Sequence, residues 1–341
     1  MLLLSLLLAA APVPATAAAP DAAHSPSTAP TPAAIQLAGA PPISMDYLAY
    51  DPAGDRIWVP AGPTGRVDVI DARTGQVRSV GGFDTAQVTG RDGKPRTIGP
   101  SAAAVGDGLV YVGNRAGSQL CTVDARTLER VGCLTLPSSP DGVVWVAPTR
   151  EVWVTTPRDG AITILDAKDG RHPRIAGRLE LAHPEGYVVD EARGLLYTNQ
   201  EEEDLTVAID VRKRAVVATW KSGCGAEGPR GLALDAARRQ LVVACAAGSL
   251  RVLDAGKDGA LLGTLEVGAG VDNIDYLPAT HRVYAAAGRA GTLTVAEVGA
   301  AGGLTRLWTA TAAEGGRVVV VDARGGAWVA DSKGGRIVVF R

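Results

Sequence analysis

The sequence predicts an all-β fold, a seven-bladed β-propeller of four-stranded blades. Three observations carry that reading: a repeat of about 44 residues, four short β-favouring strings inside each repeat, and complementary strand fragments at the two ends of the repeating region. The repeat is clearest in the second string of each unit: Ile57-Trp58-Val59, Val110-Tyr111-Val112, Val152-Trp153-Val154, Leu196-Tyr197-Thr198, Val242-Val243-Ala244, Val283-Tyr284-Ala285 and Ala327-Trp328-Val329. A third string follows each one and closes at Asp71, Asp124, Asp166, Asp210, Asp254, Glu297 and Arg341, at intervals of 53, 42, 44, 44, 43 and 44 residues. Only the first interval is stretched. It contains the polar, turn-rich segment Thr89 to Arg96, which reads as a surface loop insertion.

Within the first unit, Met45 to Tyr50 is a short apolar run, Arg56 to Val59 a β-favouring string, Arg66 to Ile70 an alternating strand and Gln76 to Val80 a fourth strand. Gly, Asp and Pro turns separate them, which is the pattern of a meander. No capped apolar stripe of helical period runs for three turns, so helical solenoids and alternating helix and strand are disfavoured. The last unit supplies Val318 to Val321, Ala327 to Ala330 and Ile337 to Phe340 but lacks a fourth strand. Ala34 to Ala38, ahead of the first unit, resembles the fourth strand Thr264-Leu265-Glu266-Val267 and is expected to complete blade seven, closing the ring.

These features resemble the YVTN-repeat β-propeller family, the YncE-like exported proteins. The resemblance runs from about residue 35 to the end. It is carried best by Tyr197-Thr198-Asn199 with Thr206 to Asp210, by Trp153-Val154-Thr155-Thr156 with Ile162 to Asp166, and by the His183-Pro184-Glu185 and Gly228 to Leu232 segments. Val242 to Cys245 and Glu297 depart from the pattern. The resemblance implies a propeller and no settled common activity.

The 341 residues divide into a signal peptide at 1–19, a flexible linker at 20–32 and a propeller at 33–341. Leu2 to Ala11 is an apolar run too short to span a bilayer, and Pro14 to Ala19 offers an Ala-x-Ala cleavage pattern, although no Lys or Arg precedes the run. Pro20 to Pro32 is rich in Ala, Pro, Ser and Thr. The expectation is a periplasmic or secreted monomer with no membrane attachment once the signal is removed. The formal charge is −2 and the Arg residues are spread over all units, which disfavours nucleic acid as a partner. Four cysteines suit an oxidising compartment. Cys121 and Cys133 fall nearly opposite each other across a hairpin, with two buried thiols as the alternative. Cys224 and Cys245 meet on one rim of blade five.

The start of each first strand lies at the mouth of the central channel. Counting back from the second strings places Asp46, Ser101, Asp141, Glu185, Arg230, Asp272 with Asn273, and Arg317 there, so carboxylates and guanidinium groups converge on one axis. Three readings stay open: ion pairs that solvate the channel, a divalent cation such as calcium held by Glu185, Asp272 and Asn273 with Asp141 and Asp46, or recognition of an anionic or zwitterionic molecule by Arg230 and Arg317. His183 is the histidine nearest the mouth, with roles as turn cap, base or ligand. No Gly-x-Ser-x-Gly elbow accompanies it. The acidic run Glu201-Glu202-Glu203-Asp204 reads as a solvated turn on the same rim. The recurring aromatics read as inter-blade packing and not as a carbohydrate platform.

The functional expectation is a non-catalytic binding or scaffold protein whose top face engages an unidentified small molecule or protein. The alternative is an enzyme, either a metal-assisted lactonase-like hydrolase or the propeller subunit of a periplasmic dehydrogenase.

Overall fold

Within each period the alternating apolar strings pair as an antiparallel meander, giving seven four-stranded sheets in the computed structural model, which describes residues 28–90 and 93–341. The expected signal peptide and the linker up to residue 27 lie outside the described residues. Blade four is representative, with strands Pro184–Asp190, Leu195–Gln200, Leu205–Asp210 and Ala215–Lys221. Its second and third strands are buried on both faces in their middle residues, whereas the fourth alternates toward solvent. That gradient is what a blade sandwiched between two neighbours requires.

The core consists of seven clusters, each built chiefly from two adjacent blades, with Tyr47 of blade one joining the cluster between blades two and three. Trp58, Tyr111, Trp153, Tyr197, Tyr284 and Trp328 all lie fully or almost fully buried in these clusters, so the aromatic series packs blade against blade. Blade five has the smaller Val242 at that position. There Tyr276, from the inner strand of blade six, joins the cluster and donates its hydroxyl to Asp235 at 2.7 Å. The missing aromatic is thus supplied from the neighbouring blade.

The recurring Asp at the end of strand three also has a local cause. Asp71 Oδ1 accepts the backbone N–H groups of Arg73 and Thr74, Asp124 Oδ1 those of Arg126 and Thr127, and Asp210 Oδ1 those of Arg212 and Lys213, at 2.8–3.0 Å. These bonds turn the chain into strand four and hold each of the three carboxyls below the usual aspartate value.

Ala33–Gln36 pairs antiparallel with Arg336–Phe340, in the order N-terminal strand, third, second and first strand of blade seven. The ring is closed as expected, by a strand that starts one residue and ends two residues before the Ala34 to Ala38 string. Leu37, just beyond it, is 2% exposed within the cluster between blades seven and one. Both cysteine pairs form disulfides, and Cys121 stands directly opposite Cys133 in the strand register. The stretched interval is a correction: Ala86–Thr89 and Pro95–Ile98 pair as a β-hairpin beyond blade one, where the sequence suggested a plain loop. Gly90, Gly93 and Lys94 form the hairpin tip, where Gly90 N–H donates to Lys94 O and Gly93 N–H donates to Gly90 O.

Deleting residues 33–39 removes both the closing strand and the Leu37 anchor, and a lower melting temperature by circular dichroism is the expected outcome. Leu37→Ala alone is expected to cost about 2–3 kcal/mol in denaturant unfolding. An unchanged midpoint in both variants would contradict the closure.

Candidate functional site

The first strands deliver their leading residues to one mouth, and in blades two, four, five and six a register shift marks the point of delivery. The shifts lie between Pro100 and Ala102, Glu185 and Tyr187, Pro229 and Leu232, and Val271 and Ile274. A bulge adds a residue and re-aims the side chain beside it. Gly186 and Gly231 make two of these bulges feasible. Gly186 has φ +62° and lies so close to Arg230 O that a Cβ would overlap it, and Gly231 sits equally close to Asp272 O.

Second-strand polar residues pin this backbone. Thr198 donates its hydroxyl to Gly186 O at 2.6 Å, Asn199 Nδ2 donates to Arg230 O at 2.6 Å, and Thr206 donates to Asn199 Oδ1 at 2.8 Å. In blade three, Gly142 N donates to Thr155 Oγ1 at 2.7 Å, next to Asp141. The Tyr-Thr-Asn phrase therefore has a division of labour. The aromatic fills the blade interface, and the two polar residues fix the main chain that carries Glu185 and Arg230.

The structure brings Asp46, Asp141, Glu185, Arg230, Asp272 and Arg317 to one cup. Arg317 Nη1 is 2.6 Å from Asp272 Oδ2, and its Nη2 is 3.7 Å from Asp46 Oδ1. Arg230 Nη1 is 2.5 Å from Glu201 Oε2. Sequence reasoning missed Arg115. It lies on the turn between strands two and three of blade two, where its Nη2 is 2.8 Å from Asp46 Oδ2 and also contacts Asp141 Oδ1. The turn that presents it is set by buried Asn114, whose Oδ1 accepts Ala116 N–H at 3.1 Å. The available signal was positional, because the equivalent turn of blade four was singled out for Glu201.

Two tyrosines, also missed, form the floor. Tyr47 of blade one and Tyr187 of blade four come from opposite sides of the ring and stack at 5.4 Å between centroids. The Tyr47 hydroxyl lies 3.4 Å from Asp141 Oδ2 and 3.3 Å from Glu185 Oε2, while the Tyr187 hydroxyl donates to Val143 O at 2.6 Å. The pair spans the axis beneath the carboxylates.

Asn273 stands apart from this group. It lines the cavity below the tyrosines, not the cup, so the proposed oxygen set is divided between Glu185 and Asp272 above and Asn273 below. Among the described residues no three or more His, Cys, Asp or Glu side chains come together as a group that could hold a metal ion. His183 sits on the outer rim, 3.1 Å from Glu203 and 3.6 Å from Glu202. The acidic run is not a freely solvated turn. Glu201 pairs with Arg230, Glu202 and Glu203 face His183, and Asp204 accepts the N–H groups of Cys224 and Gly225.

Charge in the cup is unbalanced, since among the described residues Asp46, Asp141, Glu185, Glu201 and Asp272 face only Arg115, Arg230 and Arg317. Among the described residues no guanidinium pairs with Glu185. Burial, then the neighbouring Asp141, Asp272 and Asp46, raise its carboxyl well above the ordinary glutamate value of 4.5. Burial also raises Asp272, to about 6, against the opposing pull of Arg317. Such a cup can hold a proton on Glu185 and can accept a positive group that replaces that proton.

A family model described as outer membrane protein assembly factor BamB matches residues 21–175. No curated protein matches the chain in sequence. Solved structures resemble it across nearly its whole length. A chain of the mitotic checkpoint complex is 14% identical, covers 96% of this chain and 99% of its own, and has a TM-score of 0.72. Streptogramin B lyase is 12% identical, with 91% and 97% covered and a TM-score of 0.69. Hydrazine synthase from Kuenenia stuttgartiensis is 13% identical, with 89% and 97% covered and a TM-score of 0.69. At these identities the likeness is one of fold. The fold and the family model together place the chain among the β-propeller proteins.

Arg115→Ala would leave Asp46 and Asp141 without their shared guanidinium, and a loss of about 3 kcal/mol in urea unfolding is expected. Glu185→Gln acts in the opposite direction. A carboxyl raised by folding binds its proton more tightly in the native state, so stability falls as pH rises from 4.5 through the raised value. The glutamine variant is expected to melt above wild type at pH 7.5 and level with it at pH 4, in thermal scans across that range.

Proposed function

We propose that this chain is an exported, YncE-like binding or scaffold propeller that engages its ligand at the top-face cup. The observation that carries the reading is the internal pairing of the cup. Arg115 links Asp46 with Asp141, and Arg317 links Asp272 with Asp46 over a floor of stacked tyrosines, leaving a shaped, acid-rich recess. Guanidinium groups tied in this way fix geometry, and the surplus carboxylates favour a ligand with a positive group: an organic cation, a zwitterion or a protein segment presenting one. Two disulfides, and the absence among the described residues of any helix long and apolar enough to cross a membrane, agree with export. The BamB description of the family model supports a scaffold in the same compartment.

The enzymatic reading has one specific observation in its favour. Glu185, with its raised carboxyl beside the Tyr47 hydroxyl, is equipped to donate a proton to a bound substrate.

Thermal-shift screening of the mature protein with calcium, cationic metabolites and zwitterionic metabolites distinguishes these readings. A stabilising ligand whose effect disappears in both Glu185→Ala and Arg230→Ala is expected. If no compound stabilises wild type more than these variants, the cup is not a ligand site. A stoichiometric divalent ion by elemental analysis, lost in Glu185→Ala, would favour the hydrolase.

A further inference from the structure

The hairpin of Ala86–Thr89 and Pro95–Ile98 belongs to no blade. It rises from the connection between blades one and two and walls one side of a cavity of about 710 Å³ on the top face, beside the cup. The other walls come from segment 40–45 ahead of blade one, the Gly62-Pro63 turn, the start of blade two at Pro100, and Arg317 and Ser332 of blade seven. Main-chain bonds tie these walls together. Ile43 N–H donates to Ser332 O at 2.8 Å, Gly62 N–H to Ser44 O at 3.0 Å, and Arg115 N–H to Gly99 O at 3.0 Å. Gly99, where the hairpin rejoins the ring, lies so close to Gly62 O that a Cβ would overlap it. The cavity is thus built into the fold, and its volume is in the range that holds small organic molecules.

The charged residues of its lining have the opposite sign to the surplus in the cup. Arg96, Arg115 and Arg317 line the cavity, and among the described residues no Asp or Glu does. Arg115 and Arg317 stand on the boundary, because both also pair with cup carboxylates. Those pairs do not exhaust them, since a guanidinium carries five N–H groups. Arg115 engages Asp46 and Asp141 through Nη2 and Pro140 O through Nε, while its Nη1 makes no hydrogen bond among the described residues. Arg317 is half-exposed, with Nη1 2.6 Å from Asp272 and Nη2 3.7 Å from Asp46. The rest of the lining is uncharged. Five prolines with Met45 and Ile98 supply hydrocarbon, and Gln87, Thr97 and three serines supply neutral polar groups. Because Arg115 and Arg317 are already partly neutralised, the positive charge that remains suits an anion with one negative charge better than one with two.

We propose that this hairpin-walled pocket binds a small monocarboxylate with an apolar body. Its carboxylate accepts from Arg96 and from the guanidinium groups at the boundary with the cup, and its hydrocarbon lies against the prolines, Met45 and Ile98. The hairpin supplies both a wall and Arg96, so it sets which anions enter. The inference goes beyond the cup reading and does not require that the cup hold a ligand.

3-Phenylpropionate is a suitable probe, with 3-phenylpropan-1-ol as its neutral analogue and 2-phenylethylphosphonate as a dianion on the same hydrocarbon body. By isothermal titration calorimetry in mildly alkaline buffer, the carboxylate is expected to bind wild type at least about tenfold more tightly than the alcohol, and more tightly than the phosphonate. Arg96→Gln is expected to weaken it about fivefold or more. Deletion of residues 86–97 is expected to abolish binding. That deletion removes no blade strand and joins the chain where Ala86 and Ile98 stand paired. Failure of the carboxylate to bind wild type, or equal binding of carboxylate and alcohol, overturns the proposal without any variant having to fold. Tighter binding of the phosphonate overturns the assignment to a monocarboxylate. Binding undiminished by either hairpin change also overturns it, and its loss in Glu185→Ala would then assign the probe to the cup.

Discussion

Seven blades can converge on a common axis only if the ring is closed, and closure depends on one antiparallel pairing between the two ends of the repeating region. Ala33–Gln36 supplies the outer strand that blade seven lacks. Away from the axis, where Tyr47 of blade one meets Tyr187 of blade four, the other blade contacts run between neighbours in sequence. Such an array, left open, would present one sheet face at each end with nothing to bury it. The cluster between blades seven and one, with Leu37 and Ile43 beside Trp328 and Ile337, exists only because the ends meet. Asp46 and Arg317 belong to those two blades, so the cup owes part of its ion-pair network to the same closure.

Convergence has an electrostatic consequence. A ring brings side chains from distant parts of the chain together at their inner ends whether or not their charges suit one another. Here the first strands contribute four carboxylates, and coulombic repulsion among them adds to the cost of removing them from water. Three kinds of relief are visible. Arg317 enters from the first strand of blade seven, Arg115 reaches over from a turn, and the Glu185 carboxyl, raised by burial and its acidic neighbours, holds its proton to a higher pH beside the Tyr47 hydroxyl. The first two are fixed by geometry and the third is adjustable. Burial raises Asp141 and Asp272 as well, so protonation can relieve the crowding at more than one acid of the cup.

The sequence made the architecture legible because each repeat states it again. Strand-two aromatics, strand-three Asp residues and the surplus N-terminal strand all follow local rules of period, turn chemistry and pairing, and Asp124 and Asp210 cap their turns as those rules require. The cup was half legible. Residues at the start of the first strands could be counted from the repeat, which found Asp46, Asp141, Glu185, Arg230, Asp272 and Arg317. Arg115 was not, because a turn residue reaches the axis by the direction of its side chain and not by its place in the period. The tyrosines were hidden for a similar reason. Tyr47 reads as one more apolar residue of a strand, and its role depends on meeting Tyr187 from across the ring. Asn273 follows Asp272 inside the bulge between Val271 and Ile274, and it lines the cavity below the tyrosines while Asp272 pairs with Arg317 in the cup, a separation that the period alone does not reveal.

That floor is what makes a propeller channel into two compartments of different chemistry. Above it the walls are charged and mutually paired; below it they are mostly apolar, with Glu191, Asp275 and Asp322 among the lining residues. Tyr47 belongs to both. Its hydroxyl contacts Glu185 and Asp141, and its ring roofs the lower chamber against Tyr187. Burial and the surrounding acids push its own ionisation well upward, so the hydroxyl remains a neutral donor across the range in which Glu185 titrates.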